Sequence, residues 1–262
     1  MIPAGFDLTG RVALVTGAGS ESGIGFATAR LLCALGVAVE LAATTDRVLD
    51  RASEVAEAGG RAHGSIADLT DPAAATELVD DARKRWGRLD ILVNNAGMTS
   101  VALAGPTESG TALDMDTEQW HAALSRNLDS AYFVSRSACS TMVEQGWGRI
   151  VNVASVTGPV MAMRGEAGYA AAKAGMVGLT RSMAVDFAGR GVTVNAVAPG
   201  WIATASQNEL ERKEGLRTPM QRSGTSDEVA SAIAWLCTPG AAYTTGQIIV
   251  VDGGNSIAEE RG

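Results

Sequence analysis

A tyrosine and a lysine four positions apart, Tyr169 and Lys173 in "YAAAK", are the residues of this sequence best suited to acid–base chemistry. The alanine-rich stretch around them predicts a helix, on which residues at this spacing share a face. A free tyrosine has a pKa of about 10, and a neighbouring ammonium group lowers that pKa by stabilising the phenolate. Such a phenol can give a proton to a carbonyl oxygen, or take one from an alcohol, close to neutral pH.

The pair stands out against the composition of the chain. With three tyrosines and three lysines in 262 residues, about 0.03 pairs at this spacing would occur by chance. The other basic residues are arginines, whose planar head would not fill the same slot as an ammonium group. The alternative interpretation is a surface tyrosine that packs on a lysine stem and has no chemical role.

Two further polar residues are candidates for the same site. Ser155 ends the apolar run "VNVAS", so its hydroxyl would lie at the end of a strand, where it could bind a substrate oxygen. A serine at a strand end is also common as a plain turn residue. Asn127 falls in the middle of the helical stretch "HAALSRNLDSAYF", where asparagine is mildly unfavourable.

The stretch "VTGAGSESGIG", residues 15–25, is rich in glycine and lies between a predicted strand and a predicted helix. Backbone N–H groups at such a turn, together with the helix N-terminus, can hold a pyrophosphate, and glycines allow its close approach. Taken alone, the stretch is equally consistent with a tight turn.

The elements around these residues predict an α/β fold. Short apolar runs alternate with amphipathic stretches, which indicates a doubly wound parallel sheet of about seven strands with helices on both faces, in one domain over residues 1–262. The predicted strands are 11–16, 37–43, 61–67, 90–95, 148–155, 192–198 and 247–251. The predicted helices lie near 24–35, 46–58, 71–86, 117–145, 169–189 and 226–237. Long loops at 98–119 and 201–224 follow strand ends and are expected to be lids over a ligand.

The motifs "NNAG" (94–97), Ser155, "YAAAK" (169–173), "APG" (198–200) and "VDGG" (251–254) together resemble the short-chain dehydrogenase/reductase family, over the whole chain. Within that family the sequence is similar to 3-oxoacyl-[acyl-carrier-protein] reductases. The resemblance implies a single-domain Rossmann-type oxidoreductase that transfers a hydride between NADP(H) or NAD(H) and a ketone or secondary alcohol, with a 3-oxoacyl thioester as one candidate substrate. An enoyl reductase of the family would instead carry its tyrosine and lysine seven residues apart. The catalytic residues implied are Asn127, Ser155, Tyr169 and Lys173, with Asn127 kinking its helix and binding a water next to the lysine.

The same resemblance implies a set of residues that bind the nucleotide. They are Gly17, Gly19, Ser22, Gly23, Ile24, Thr44, Thr45, Arg47, Asp68, Leu69, Asn95, Ala96, Gly97, Tyr169, Lys173, Pro199, Gly200, Ile202 and Thr204, with Asn94 lining the adenosine side of the cleft. The glycine-rich loop departs from the family pattern, because five residues separate Gly17 from Gly23 where the family has three. We therefore expect a bulged loop whose extra residues, including Glu21, point to solvent.

The choice between the two nucleotides depends on the end of the second predicted strand. NAD-preferring relatives have an acidic residue where this chain has Ala43, and Thr44, Thr45 and Arg47 follow. A 2′-phosphate would find donors there, so NADP(H) is favoured and NAD(H) is the alternative. Thr44 or Thr45 could also simply cap the next helix. Near the other end of the cleft, Met161, Met163 and Trp201 indicate either an apolar substrate wall or packing between loops.

The remaining composition excludes several classes of protein. The net charge is −8 with no basic run, which argues against nucleic-acid binding, and no apolar run is long enough to span a membrane. The two histidines form no metal motif, and Cys33, Cys139 and Cys237 are expected to be small core residues of a cytoplasmic protein. By resemblance, the helices at 117–145 and 169–189 would form a homotetramer or homodimer. The alternative function is a catalytically inactive nucleotide sensor or scaffold, although all four catalytic positions are filled.

Overall fold

The computed structural model describes residues 3–97 and 109–259, and its centre is one parallel sheet of seven strands. The strands are β1 Val12–Thr16, β2 Ala38–Ala43, β3 Arg61–Ile66, β4 Ile91–Asn94, β5 Gly148–Val153, β6 Val192–Pro199 and β7 Ile248–Val251. Their order across the sheet is β3-β2-β1-β4-β5-β6-β7. The predicted fold class is therefore confirmed, and every predicted strand is present.

The inner strands form because their sequences are apolar at nearly every position. β1, β4, β5 and β6 are buried along their whole length, as expected for strands covered on both faces. Alternate residues of the inner strands enter two hydrophobic clusters on opposite faces of the sheet, as Val15 and Leu14 of β1 do. A one-residue shift in register would exchange these two sets, so the clusters fix the register of the sheet.

The described residues form eight α-helices, six of which pack on the two faces of the sheet. The eight are α1 Ile24–Ala34, α2 Arg47–Glu57, α3 Pro72–Trp86, α4 Thr117–Leu124, α5 Ser130–Gln145, α6 Ala167–Phe187, α7 Glu209–Leu216 and α8 Ser226–Cys237. Buried residues of α1, α2 and α8 pack on one face of the sheet, and those of α3, α5 and α6 pack on the other. Within the described ranges, no helix is long and apolar enough to cross a membrane.

Two predicted elements differ from those observed. The helix predicted at 117–145 is divided by a π-helical segment, Ser125–Asp129, which separates α4 from α5. The predicted loop at 201–224 contains α7, whose first turn has a capping box in which the Asn208 side chain accepts from the N–H of Glu211 at 2.9 Å. Most residues of α7 are charged, so no apolar periodicity marks it, and the box is its only local signal. Residues 98–108 of the other predicted loop lie outside the described residues.

The strand order places a cleft at the carboxyl ends of β1 and β4. The chain runs outward from β1 to β2 and β3, then returns to β4 on the other side of β1, and ligands of open α/β sheets bind at such a switch point. Side chains join the two strand ends. The Thr16 hydroxyl accepts from the backbone N–H groups of Asn95 and Ala96 at 3.1 and 3.0 Å, and the Asn95 side chain donates to the carbonyl oxygens of Thr16 and Gly17.

Candidate active site

Tyr169 and Lys173 lie on the first two turns of α6, beside the end of β5. Lys173 is only 3% exposed, and its Nζ donates a hydrogen bond to the carbonyl oxygen of Val153 at 3.0 Å. The same Nζ is 5.6 Å from the centre of the Tyr169 ring. A buried ammonium group is costly unless it is hydrogen-bonded, and the Val153 carbonyl supplies one such bond. The lysine charge is therefore held beside the tyrosine, as the spacing predicted.

Ser155 follows β5 and is 9% exposed. Its Oγ accepts a hydrogen bond from the backbone N–H of Thr157 at 3.1 Å. Because Oγ is the acceptor in that bond, the hydroxyl hydrogen remains available to donate to an oxygen in the cleft. The loop after Ser155 packs tightly on α6, since a Cβ built on Gly158 would lie 2.2 Å from the carbonyl oxygen of Ala170, the residue after Tyr169.

Asn127 lies in the π-helical segment and is fully buried. Its Nδ2 donates to the carbonyl oxygen of Ala123 at 3.1 Å, so the side chain is fixed by its own helix. A Cβ on Gly97 would lie 2.8 Å from Asn127 Oδ1 and 3.2 Å from Lys173 Nζ. Position 97, three residues after the end of β4, must therefore be glycine to leave room between these two polar groups. The predicted kink of this helix takes the form of a π-bulge, a feature frequent at functional sites.

The glycine-rich loop after β1 packs closely against the loop after β4. Gly17 has a φ of +66°, and a Cβ there would lie 2.8 Å from the Cα of Ala96. A Cβ on Gly25 would lie 2.6 Å from Asn95 Nδ2. Both glycines are therefore required by backbone packing within the protein, in addition to any contact with a ligand.

The extra residues of this loop form a turn. The N–H of Gly23 donates to the carbonyl oxygen of Ser20 at 3.0 Å, and Glu21 between them is exposed. Glu21 borders a groove of about 630 Å³ that Arg30 of α1 and Glu54 of α2 also line. The expectation that Glu21 points to solvent agrees with this placement.

Ser22, at the end of the turn, contacts two distant segments. Its Oγ accepts from the N–H of Ala205 at 2.7 Å, and its carbonyl oxygen accepts from the hydroxyl of Ser226 at 2.6 Å. Gly23 and Ile24 follow as the N-cap and first residue of α1. The N-terminus of α1 thus opens directly onto the loop, as a phosphate-binding helix does.

At the end of β2, the small side chain of Ala43 allows the glycine-rich loop to approach the strand. A Cβ on Gly19 would lie 3.1 Å from the Ala43 Cβ. Arg47 is exposed, and its Nε donates to the Thr45 hydroxyl at 3.2 Å. The N-cap of α2 is Asp46, so the reading of Thr44 or Thr45 as the cap is wrong.

Some predicted nucleotide-binding residues use their side chains in other ways. Asp68 is exposed and accepts from the N–H and hydroxyl of Thr70, while the Leu69 side chain packs in the core. Asn94 does not line the cleft as expected. It is 2% exposed, and its Nδ2 donates to Ser135 Oγ and to Asn152 Oδ1. The Asn94 side chain thus points toward Ser135 of α5, whereas that of Asn95 points toward the glycine-rich loop.

The segment after β6 reaches the same end of the sheet. Pro199 ends the strand, and Gly200 passes so close to Asp252 that a Cβ would lie 2.7 Å from the aspartate Cβ. Ile202 packs against the core, and the Thr204 hydroxyl pairs with that of Ser206 at 2.9 Å. Pro199 and Gly200 therefore border the cleft through their backbone, while the Ile202 side chain contributes to packing.

The sequence did not indicate a buried network beneath the site. Asn152 Nδ2 donates to the Thr180 hydroxyl at 2.8 Å, and Asn152 Oδ1 accepts from Asn94, which also donates to Ser135. The only signal in the sequence is the seven-residue spacing of Thr180 from Lys173, which places them on one face of α6.

The residues at the strand ends fit a dinucleotide. Backbone N–H groups at the start of α1 suit a pyrophosphate, and the polar surface of Thr45 and Arg47 lies beyond Gly19. Lys173 and Asn127 lie behind Gly97, at the opposite end of the cleft.

Comparison with known proteins identifies the family. Residues 17–256 match a family model described as enoyl-(acyl carrier protein) reductase. A 3-oxoacyl-[acyl-carrier-protein] reductase of Synechocystis is 41% identical in an alignment of 251 positions that covers 94% of this chain and 97% of that protein. The chain belongs to the short-chain dehydrogenase/reductase family. The Escherichia coli 3-oxoacyl-[acyl-carrier-protein] reductase FabG is 38% identical over 94% of this chain and 97% of its own length.

Solved structures of the family have the same fold. A protein of Beutenbergia cavernae, assigned as an NAD(P)-dependent gluconate 5-dehydrogenase and solved with bound NADP at low occupancy, superposes with a TM-score of 0.88. It is 37% identical, over 97% of this chain and all of its own. This short-chain dehydrogenase/reductase is therefore an NAD(P)-dependent oxidoreductase that acts on a small molecule, and the alternative of an inactive scaffold finds no support.

Proposed function

We propose that Asn127, Ser155, Tyr169 and Lys173 are the catalytic residues of this oxidoreductase. The observation that carries the proposal is the placement of Lys173, which is buried, bonded to the Val153 carbonyl and 5.6 Å from the Tyr169 ring. A cation held there favours the phenolate, so the Tyr169 hydroxyl can act as acid in ketone reduction and as base in alcohol oxidation. When bound, NADPH or NADH would supply the hydride in reduction, and NADP+ or NAD+ would accept it in oxidation.

The other two residues assist this proton transfer. Ser155 accepts a backbone hydrogen bond, so it is oriented to donate its own hydrogen to the substrate oxygen and to polarise a carbonyl. Asn127 has its Oδ1 directed at the space beside Gly97 and Lys173 Nζ. A water bound in that space would exchange protons with the lysine.

A Tyr169→Phe variant tests the assignment. Loss of the phenol removes the acid and base, so turnover should fall by about 10² to 10⁴-fold. Nucleotide binding should survive, because the ring and the other nucleotide-binding residues are retained. The matched control is Tyr243→Phe, which removes the hydroxyl of a fully exposed tyrosine and should leave turnover unchanged. Unchanged turnover in Tyr169→Phe would refute the catalytic assignment.

We propose further that the enzyme prefers NADP(H) over NAD(H). Ala43 supplies no carboxylate to the ribose 2′-OH, and Arg47 and Thr45 offer donors to a 2′-phosphate. An Arg47→Ala variant should raise the dissociation constant for NADPH by about tenfold or more and leave that for NADH unchanged. The control is Arg83→Ala, which removes an exposed arginine side chain of α3. Tighter binding of NADH than of NADPH to the native enzyme would overturn the proposal.

For the substrate, we propose a 3-oxoacyl thioester. The named reductases of Synechocystis and Escherichia coli support this class, and so does the four-residue spacing of Tyr169 and Lys173, which is not that of enoyl reductases. Exposed apolar side chains occur on segments beside the site, namely Val160, Met163, Leu210 and Met220. Initial rates with NADPH across 3-oxoacyl thioesters and simple cyclic ketones provide the test. A kcat/KM for ketones equal to or above that for thioesters would reject this class.

We propose a homotetramer, or a homodimer as the smaller assembly, formed through α4, α5 and α6. Large apolar or aromatic side chains are exposed on these helices, namely Trp120, Tyr132 and Val185. Light scattering after size-exclusion chromatography gives the mass directly. The mass of one chain, 26.9 kDa, would contradict the proposal.

A further inference from the structure

The glycine-rich loop and the segment after β6 are joined by a direct hydrogen bond. Ser22 and Ala205 are separated by 183 positions, yet the serine Oγ accepts the alanine N–H at 2.7 Å. The Ser22 carbonyl accepts from Ser226, the first residue of α8, at 2.6 Å. The hydroxyl and the carbonyl oxygen of Ser22 therefore both contact segments outside the nucleotide loop.

Ser22 reaches the predicted lid segment 201–224, and we use the name lid for its residues 201–217, which include α7. Its base is paired with residues 223 and 224, since Gly224 donates to the Trp201 carbonyl and accepts from the Ala203 N–H. Gln207 Nε2 also donates to the Ser223 hydroxyl at 2.9 Å. These bonds hold the lid to residues 223 and 224. The Ser22 bond joins it to the nucleotide loop.

The extended turn explains how Ser22 reaches the lid. Residues 20–23 close a turn through the Gly23-to-Ser20 hydrogen bond, and Glu21 and Ser22 at its tip are exposed. The two residues that this loop has in addition to the family pattern also lie between Gly17 and Gly23. We propose that Ser22 is a positioning residue that couples nucleotide binding in the glycine-rich loop to closure of the lid.

This coupling rests on the proposed nucleotide site. A pyrophosphate bound at the N-terminus of α1 restrains the loop, and the restrained Ser22 Oγ then holds the Ala205 N–H and the lid with it. By linkage, a closed lid raises nucleotide affinity by the same factor. One exposed hydrogen bond limits that factor to about tenfold.

Limited proteolysis of the full chain measures the coupling directly. Trypsin sites in the lid, at Arg212, Lys213 and Arg217, lie on exposed side chains of α7 or next to it. In the native protein, saturating NADPH without substrate should slow cleavage at these sites by up to about tenfold. In Ser22→Ala, saturating NADPH should slow cleavage at these sites by less than about twofold. The NADPH concentration is chosen from the dissociation constant of that variant, so that its nucleotide site is also saturated.

Two controls separate the lost hydroxyl from general damage. Ser22→Thr keeps the hydroxyl and should restore the protection. Ser231→Ala removes a hydroxyl that donates only within α8, to the Asp227 carbonyl, and should behave as the native protein. Full protection in Ser22→Ala, or none in the native protein with NADPH bound, would overturn the coupling. Failure of the native protein to bind NADPH or NADH would instead overturn the proposed function on which it rests.

Discussion

The side chain of Asn152 donates a hydrogen bond to the hydroxyl of Thr180 at 2.8 Å, and both residues are fully buried. Asn152 lies in β5, three residues before Ser155, and Thr180 lies two turns after Lys173 in α6. The Thr180 hydroxyl donates in turn to the Met176 carbonyl at 2.8 Å. This bond therefore fixes the helix that carries the tyrosine and lysine against the strand that precedes the serine.

A Thr180→Val variant should damage both stability and catalysis. Valine keeps the shape but leaves the buried Asn152 donor without that acceptor, at a cost of about 1–3 kcal/mol in the free energy of unfolding. If α6 shifts, the Lys173 ammonium group moves away from its position beside the Tyr169 ring and stabilises the phenolate less. The pH profile of kcat should therefore shift to higher pH, which thermal unfolding and initial rates between pH 6 and 10 would show.

Two substitutions control this experiment. Thr180→Ser keeps the hydroxyl and should restore the native pH profile. Thr193→Val, in β6, removes a buried hydroxyl that has no partner among the described residues, so it should be neutral or stabilising. A Thr180→Val enzyme that loses stability but keeps the native pH profile would show that the network is structural only.

The sequence predicted those features that depend on local pattern. Apolar runs such as "VALVT" predict buried strands, and the Tyr169–Lys173 spacing predicts a shared helix face, because both follow from backbone geometry. α7 was missed because its charged sequence has no apolar period. The Asn152–Thr180 and Ser22–Ala205 bonds join separate elements, and only the packed fold brings such residues together.

Gly158 should tolerate no side chain. Its φ is +104°, and a Cβ would lie 2.2 Å from the Ala170 carbonyl oxygen, so alanine must push the loop after Ser155 away from α6. We expect Gly158→Ala to lower kcat/KM by about 100-fold, since small displacements of catalytic groups are costly. Gly189→Ala has open space around its Cβ and should behave as native. Equal kcat/KM values for the two variants would contradict this account.

Glu21 should have no part in nucleotide choice. Its side chain is exposed and borders the groove between α1 and α2. Glu21→Gln removes the charge and keeps the shape, so the dissociation constants for NADPH and NADH should each change by less than about twofold, as expected for a charge screened by solvent. Fluorescence titration of both nucleotides gives the ratio. A selective gain in NADPH affinity would mean that the carboxylate repels the 2′-phosphate, contrary to its position.

Glu228 should stabilise the base of the lid in a pH-dependent manner. Hydrogen bonds from the Arg222 guanidinium and from the Thr225 N–H lower the pKa of Glu228 from 4.5 to about 2. Because the folded pKa is lowered, the stabilisation is fully present above about pH 4.5 and is lost as the pH falls toward 2. The pair is nearly half exposed, so solvent screening limits its contribution to at most about 1 kcal/mol.

A Glu228→Gln variant isolates the charge, because glutamine can still accept from Thr225 in the capping box. The native protein should unfold at a higher temperature than the variant at pH 6, and the difference should shrink as the pH is lowered from 4.5 to 3. Thermal unfolding followed by circular dichroism at half-unit steps of pH measures both curves. A difference that stays constant down to pH 3 would show that the Arg222–Glu228 ion pair contributes nothing to the stability of this segment.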